Sequence, residues 1–141
     1  MGNVHWFGIE DFGASADDLL RNIDRASRYV AEAGALMLIS AAQRNFQGSH
    51  APGEPHVGGN FPNIVTGNLR RSISADSTER LRLADYSVTV APRMDYGRRV
   101  EYGYNGSRGY PYFTPAVQTV IPDFEKLVYK TFEKVLDGKR V

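Results

Sequence analysis

Residues 15–47 read SADDLLRNIDRASRYVAEAGALMLISAAQRNFQ, and the spacing of apolar residues in this stretch decides the fold. Apolar or small residues recur at Leu19, Ile23, Ala26, Val30, Ala33, Met37 and Ala41 in steps of four and three, and Leu20, Leu38 and Ile39 widen the stripe. An α-helix puts these positions on one face, which then has to be covered. Ser15 supplies a capping hydroxyl, and Asp17 and Asp18 suit the positive end of the helix dipole, so a helix is expected from residue 16 to about residue 47. At 1.5 Å per residue it would be about 48 Å long, more than so short a chain can cover. Part of the stripe is therefore expected to bury against another subunit. Gly34 costs roughly 1 kcal/mol relative to alanine in a helix and marks either a close backbone approach or a break.

Downstream, residues 48–63 (GSHAPGEPHVGGNFPN) hold three prolines and four glycines and read as a long flexible loop, suited to ordering on a partner. Period-two alternation at Ser72 to Ala75, Arg80 to Leu83 and Tyr86 to Val90 predicts an antiparallel three-stranded meander. Its turns are Asp76-Ser77-Thr78-Glu79 and Ala84-Asp85, and its apolar face is Leu81, Leu83, Tyr86, Val88 and Val90. A short helix is expected between Asp95 and Tyr102, stopped by Gly103. Thr114 and Pro115 suit the first turn of a last helix, whose stripe runs through Val117, Val120 or Ile121, Phe124, Leu127 or Val128, Phe132, Val135 and Leu136. Pro122 should kink that helix or restart it.

At about 100–200 residues per domain, the 141 residues make a single domain, 1–141, and 42% hydrophobic residues supply a core. Seventeen Lys and Arg against sixteen Asp and Glu leave +1, which argues against a uniformly basic nucleic-acid binder. The absence of cysteine excludes disulfides, thiolate catalysis and cysteine-rich zinc sites, and suits a reducing cytosol. The N-terminal MGNVHWFGIEDF has no cationic region followed by an apolar core, so neither a leader nor a membrane anchor is expected.

Chemistry-bearing groups are sparse. His50, Glu54 and His56 offer two imidazoles and a carboxylate, but in a Gly/Pro-rich loop at no known zinc spacing, so they read as solvated loop residues and no metal or cofactor is expected. Asp17 with Asp18, or Asp95 with Glu101, pair no poised acid with a base, and no serine sits in a nucleophile elbow, so no enzyme is predicted. Residues 93–113 interleave Arg93, Arg98, Arg99 and Arg108 with Tyr96, Tyr102, Tyr104, Tyr110, Tyr112 and Phe113. Such a segment fits a protein interface better than a single-strand nucleic-acid track, since the total charge is near zero.

Three patterns in order resemble those of the siphophage head-to-tail connection proteins, typified by gene product ten of the HK-type lambdoid phages. Thr66-Gly67-Asn68-Leu69-Arg70-Arg71-Ser72-Ile73 resembles the family's T-G-x-L-R-x-S-I lead into its sheet. Tyr96-Gly97-Arg98-Arg99-Val100-Glu101-Tyr102-Gly103 resembles its Y-A-x-x-V-E-F-G helix and turn. Pro111-Tyr112-Phe113-Thr114-Pro115-Ala116 resembles its R-P-F-L-x-P-A start of the final helix. This chain departs from the family at Gly97, where alanine is common, and at Tyr102 and Tyr112.

The fold expected is α+β: a long N-terminal helix, a small antiparallel meander, a short helix and a C-terminal helix packed on the sheet. The resemblance implies a non-enzymatic virion protein assembled in the host cytoplasm and placed at the neck or upper tail. There it would form a ring, six subunits being expected, between neighbouring neck and tail proteins, with double-stranded DNA passing through the lumen without specific binding. Alternatives are a tail terminator or minor tail protein, and a single-strand nucleic-acid-binding module. Thr66, Gly67, Leu69, Arg70, Ser72, Tyr96, Val100, Glu101, Gly103, Pro111, Phe113 and Pro115 are the expected family and interface residues. Gly67 is expected to make the turn into the sheet, Leu69 and Ile73 to anchor it, and Glu101 to fix the short helix against the sheet, by bonding a turn or by pairing with Arg70, Arg71 or Arg99.

Overall fold

A computed structural model describes residues 9–76, 79–82 and 85–141. The long helix is present as α1, Ile9–Arg44, 36 residues without a break and about 54 Å long. It does not start at Ser15, because helix continues back to Ile9, and Asp18 accepts a hydrogen bond at 2.7 Å from Arg21 one turn on. After the 48–63 loop come α2 (Asn68–Ser72), β1 (Ile73–Ala75), β2 (Glu79–Arg82), β3 (Asp85–Ser87), β4 (Val90–Pro92), α3 (Gly97–Tyr102) and α4 (Phe113–Leu136).

The strands pair differently from the expected meander. β1 runs antiparallel to β4, with Ile73 opposite Pro92 and Ala75 opposite Val90, while β2 and β3 form their own ladder. The segment expected as one strand from Tyr86 to Val90 is thus divided, its end serving β1. Hydrogen bonds from Arg93 N to Ser72 O (3.1 Å) and from Asp76 N to Thr89 O (2.8 Å) close the two ends of the β1–β4 ladder. Leu83, with the turn positions Ser77, Thr78 and Ala84, lies outside the described residues.

α4 runs antiparallel along α1. Ala41 and Ala42 share a core with Ala116 near the start of α4, and Gly34 meets Phe124 a few turns later. A Cβ on Gly34 would come 2.7 Å from Phe124 Cδ2, so this glycine is a close approach and not a break. The C-terminal helix therefore lies chiefly on α1 and reaches the β1–β4 ladder through its first turns, where Val120 and Val90 flank the core. It runs on through Pro122 without restarting. Both Pro122 and Gln118, which loses its helical donor to the proline ring, lie on the exposed side, where the freed carbonyl is open to solvent.

The main core joins Phe46, Leu69, Ile73, Tyr112 and Ala116 to the end of α1, and Ala26, Val30, Thr131 and Val135 are buried further along the helix pair. With Gly34 opposite Phe124, Leu136 at the end of α4 falls opposite about residue 22 of α1. The start of α1 then projects about 20 Å beyond its partner helix. Leu19 and Leu20 on that projection are exposed.

Candidate assembly surface

The first pattern begins on Gly67, whose φ of 73° is left-handed and costs glycine no Cβ clash. The chain does not pass straight into the sheet: five residues of α2 intervene, and Leu69 and Ile73, both buried, anchor its two ends. Thr66 Oγ1 accepts the Asn68 amide (3.3 Å), and Arg71 Nη2 donates to Thr66 O (3.0 Å). Arg70 is exposed, yet its Nε donates to Gln43 O at 3.1 Å while Gln43 Nε2 donates to Arg70 O at 3.3 Å. Gln43 O, among the last carbonyls of α1, thus accepts both the Phe46 amide (3.4 Å) and the Arg70 guanidinium. Ser72 Oγ donates to Leu69 O (2.7 Å).

The second pattern is α3 and its stop. Gly97 is buried where a Cβ would lie 3.0 Å from Pro92 Cγ and Tyr112 Oη, which explains the absence of a side chain at this position. Gly103 ends the helix at φ 83°, against the backbone of residues 107–109. Between them Val100 packs on the main core. A small cleft of about 120 Å³ joins the first two patterns, bounded by Phe46, Leu69, Tyr96, Val100 and residues 62–68.

Glu101 connects the second pattern to the third. Its Oε2 accepts the amides of Tyr112 (2.8 Å) and Phe113 (2.9 Å), and its Oε1 accepts that of Thr114 (2.8 Å). α4 has no cap from its own side chains, Thr114 included, so a carboxylate from another helix takes the orphan amides at its positive end. Glu101 thus bonds a turn and pairs with none of the three arginines, but these bonds fix the short helix against the start of α4 and not against the sheet as expected. It is 6% exposed. Burial pushes its pKa up, but the Thr114 side chain and the backbone amides of Phe113, Thr114 and Tyr112 outweigh burial and hold it below the ordinary carboxylate value. Tyr112 is pushed up to about 12 by burial and then by the Glu101 charge, so its hydroxyl stays protonated. Its ring packs 4.9 Å from Phe46 and edge-on to Phe113. Pro111, Phe113 and Pro115 are half-buried beside it.

Apart from Arg93, which donates to Ser74 Oγ (2.7 Å) and Asp76 Oδ1 (2.8 Å), the Arg and Tyr residues of 93–113 divide into two sets. Tyr112 is core, Tyr110 stacks on His56 at 3.9 Å, and Arg108 lies over Tyr110 while bonding Asn60. Tyr96, Tyr102, Tyr104, Arg98 and Arg99 stay exposed, with the Arg99 guanidinium 4.4 Å from the Tyr104 ring centroid. The run is therefore a compact patch around α3 and not a continuous stacking track for a single strand.

In the 48–63 loop, Asn63 is the organising side chain. Its Nδ2 donates to Gln47 O (2.6 Å) and Val57 O (3.3 Å), and its Oδ1 accepts the Val57 amide (2.7 Å). His56 Nε2 lies 2.9 Å from Phe61 O, and Glu54 accepts the Ala51 amide at 2.9 Å. Among the described residues no three His, Asp or Glu side chains converge as a metal site would require.

Sequence reasoning passed over two exposed apolar side chains on the long helices, Leu36 and Tyr129, 67% and 81% exposed, and placed Leu136 on the apolar stripe of the last helix, where it is 79% exposed. Leu36 and Tyr129 fall off the stripes that identified the helices, so periodicity treats them as ordinary surface. Among the described residues no helix is long and apolar enough to cross a membrane.

One family model matches the chain, that of the HK97-gp10-like bacteriophage tail components, over residues 10–103, about two thirds of the sequence. It spans α1, the loop, all four strands and α3. Neither the curated proteins nor the solved structures yield a match.

Proposed function

Because the chain belongs to the HK97-gp10-like family of phage tail components, we propose that it is a ring subunit at the neck of a tailed phage, joining the DNA-filled head to the tail. The observation that carries this reading is the uncovered apolar surface of the two long helices. Leu19, Leu20 and Leu36 on α1 and Tyr129 and Leu136 on α4 are large apolar side chains left exposed on the helix pair, where neighbouring subunits would cover them. A subunit with neighbours on several sides covers such surface on assembly, and a ring repeats each modest contact many times. Six copies are the expected number.

The partners are further copies of the chain and the adjoining neck and tail proteins, and the role is mechanical, with no catalysis. The exposed patch of Tyr96, Tyr102, Tyr104, Arg98 and Arg99 around α3 has the residue types of protein-protein hot spots and serves as a contact for one of these layers. Duplex DNA passes through the lumen without specific binding.

Electron microscopy of lysates from a phage lacking this gene tests the reading. Full heads beside complete but unattached tails are expected. Tails of aberrant length would move the protein to tail termination, and normal infectious particles would refute a virion role.

A further inference from the structure

Between α1 and α4, residues 86–90 wall an open groove of about 400 Å³. Ala31, Gly34 and Ala35 line its α1 side, with Val88 and Phe124 among the larger side chains around it, and among the described residues none that line it is charged. Small residues on one wall and apolar bulk on the others leave space for inserted apolar side chains. An uncharged lining offers nothing to phosphate and suits apolar side chains.

The chain carries an apolar segment of its own that no intramolecular path brings there. Trp6 and Phe7 precede Ile9, the first residue of α1. Tyr86, the groove residue that comes nearest to Ile9, bonds Asp24 about 22 Å along the helix axis, and Ala31 lies about 33 Å along it, whereas three extended residues carry Trp6 at most about 11 Å from Ile9. Trp6 and Phe7 can therefore fill this groove only on another copy. The projecting start of α1, with Leu19 and Leu20 uncovered, extends away from the body of its own subunit and so toward such a neighbour.

We propose that the groove between α1 and α4 receives the amino-terminal end of a neighbouring copy, with Trp6 and Phe7 as its anchors. Passed on in one direction, the end of one subunit meets the middle of the next, a heterologous contact that repeats around a ring, whereas a reciprocal exchange would close as a two-fold dimer and give only a covalent dimer below. This rests on the ring assembly proposed above.

The native sequence has no cysteine, so a pair can be introduced without background. Phage encoding His5→Cys, which keeps both anchors, together with Ile121→Cys, a groove-lining position, are purified, treated with a short bis-maleimide and run on a denaturing gel. A ladder of covalent multimers is expected, and His5→Cys with Leu36→Cys, outside the groove, is expected to give none. A double variant present in virions but wholly monomeric on the gel overturns the groove assignment and leaves the ring standing. Absence of the unsubstituted chain from virions overturns the ring and this inference with it. In a second measurement, replacing Trp6 and Phe7 by alanine lowers infectious yield by about tenfold or more without changing Tm, as loss of buried interface anchors does. An unchanged yield overturns the inference.

Discussion

Glu101 Oε1 and the backbone amide of Thr114 meet at 2.8 Å, so the carboxylate of one short helix caps the start of the last long one. The other oxygen takes the amides of Tyr112 and Phe113, so the turn between α3 and α4 is closed from its inner side. This single side chain joins the second and third sequence patterns.

Glu101→Gln removes the charge and places an amide donor against amide hydrogens. Urea denaturation should show a loss of about 2–3 kcal/mol, the range for charge-assisted hydrogen bonds left unmade in a buried setting. Unchanged stability would remove the capping role.

The same carboxylate makes stability depend on acid. Its pKa is lowered in the folded chain, so its contribution is complete above the unfolded value near 4.5 and is lost as pH falls through that value to the lower folded one. Tm measured from pH 6 downward should therefore fall below about pH 4.5, and the Glu101→Gln chain should lose less over that interval. Parallel curves for the two chains would contradict the assignment.

Gly34→Val drives a branched side chain into the Phe124 ring. We expect a loss of about 2 kcal/mol from overpacking, despite the better helix propensity of valine. Phe124→Ala in the same chain should recover part of it, giving a coupling above about 0.5 kcal/mol in a double-mutant cycle. Additive effects would show that the two helices do not touch there.

Asn63→Ala removes the bonds that tie Gln47 and Val57 across the loop. Limited proteolysis should then cut within residues 50–60 faster than in the parent chain, with the helix pair intact. Equal cutting rates would mean that the loop does not depend on this residue.

Tyr102 is 72% exposed, so Tyr102→Ala should leave stability within about 0.5 kcal/mol of the parent. If the patch around α3 contacts a neighbouring layer, infectious yield should fall while the purified protein keeps its Tm. Normal yield would remove Tyr102 from that contact.

The helices were legible in the sequence because their apolar periodicity is local. The start of α1 was not, since a serine followed by two aspartates marks a helix start only if the residues before it leave the helix, and here they do not. Strand partners were equally hidden: alternation identifies strands but not pairs, and the β1–β4 ladder joins residues separated by an intervening hairpin. α2 is too short for periodicity to register, although Gly67 signalled the change of direction ahead of it. The cap on α4 comes from a residue eleven to thirteen positions away, beyond the reach of any local capping pattern. The exposed part of the Tyr and Arg segment could not be separated from its core part, because Tyr112 and Tyr102 differ in their neighbours and not in their chemistry.

The most direct measurement is an asymmetric cryo-electron reconstruction of the virion at the junction of head and tail. A ring of copies is predicted there, each identifiable by its long α1 against the shorter α4. A reconstruction in which that density is absent from the neck and upper tail, with the chain missing from the particle by mass spectrometry, would contradict the reading.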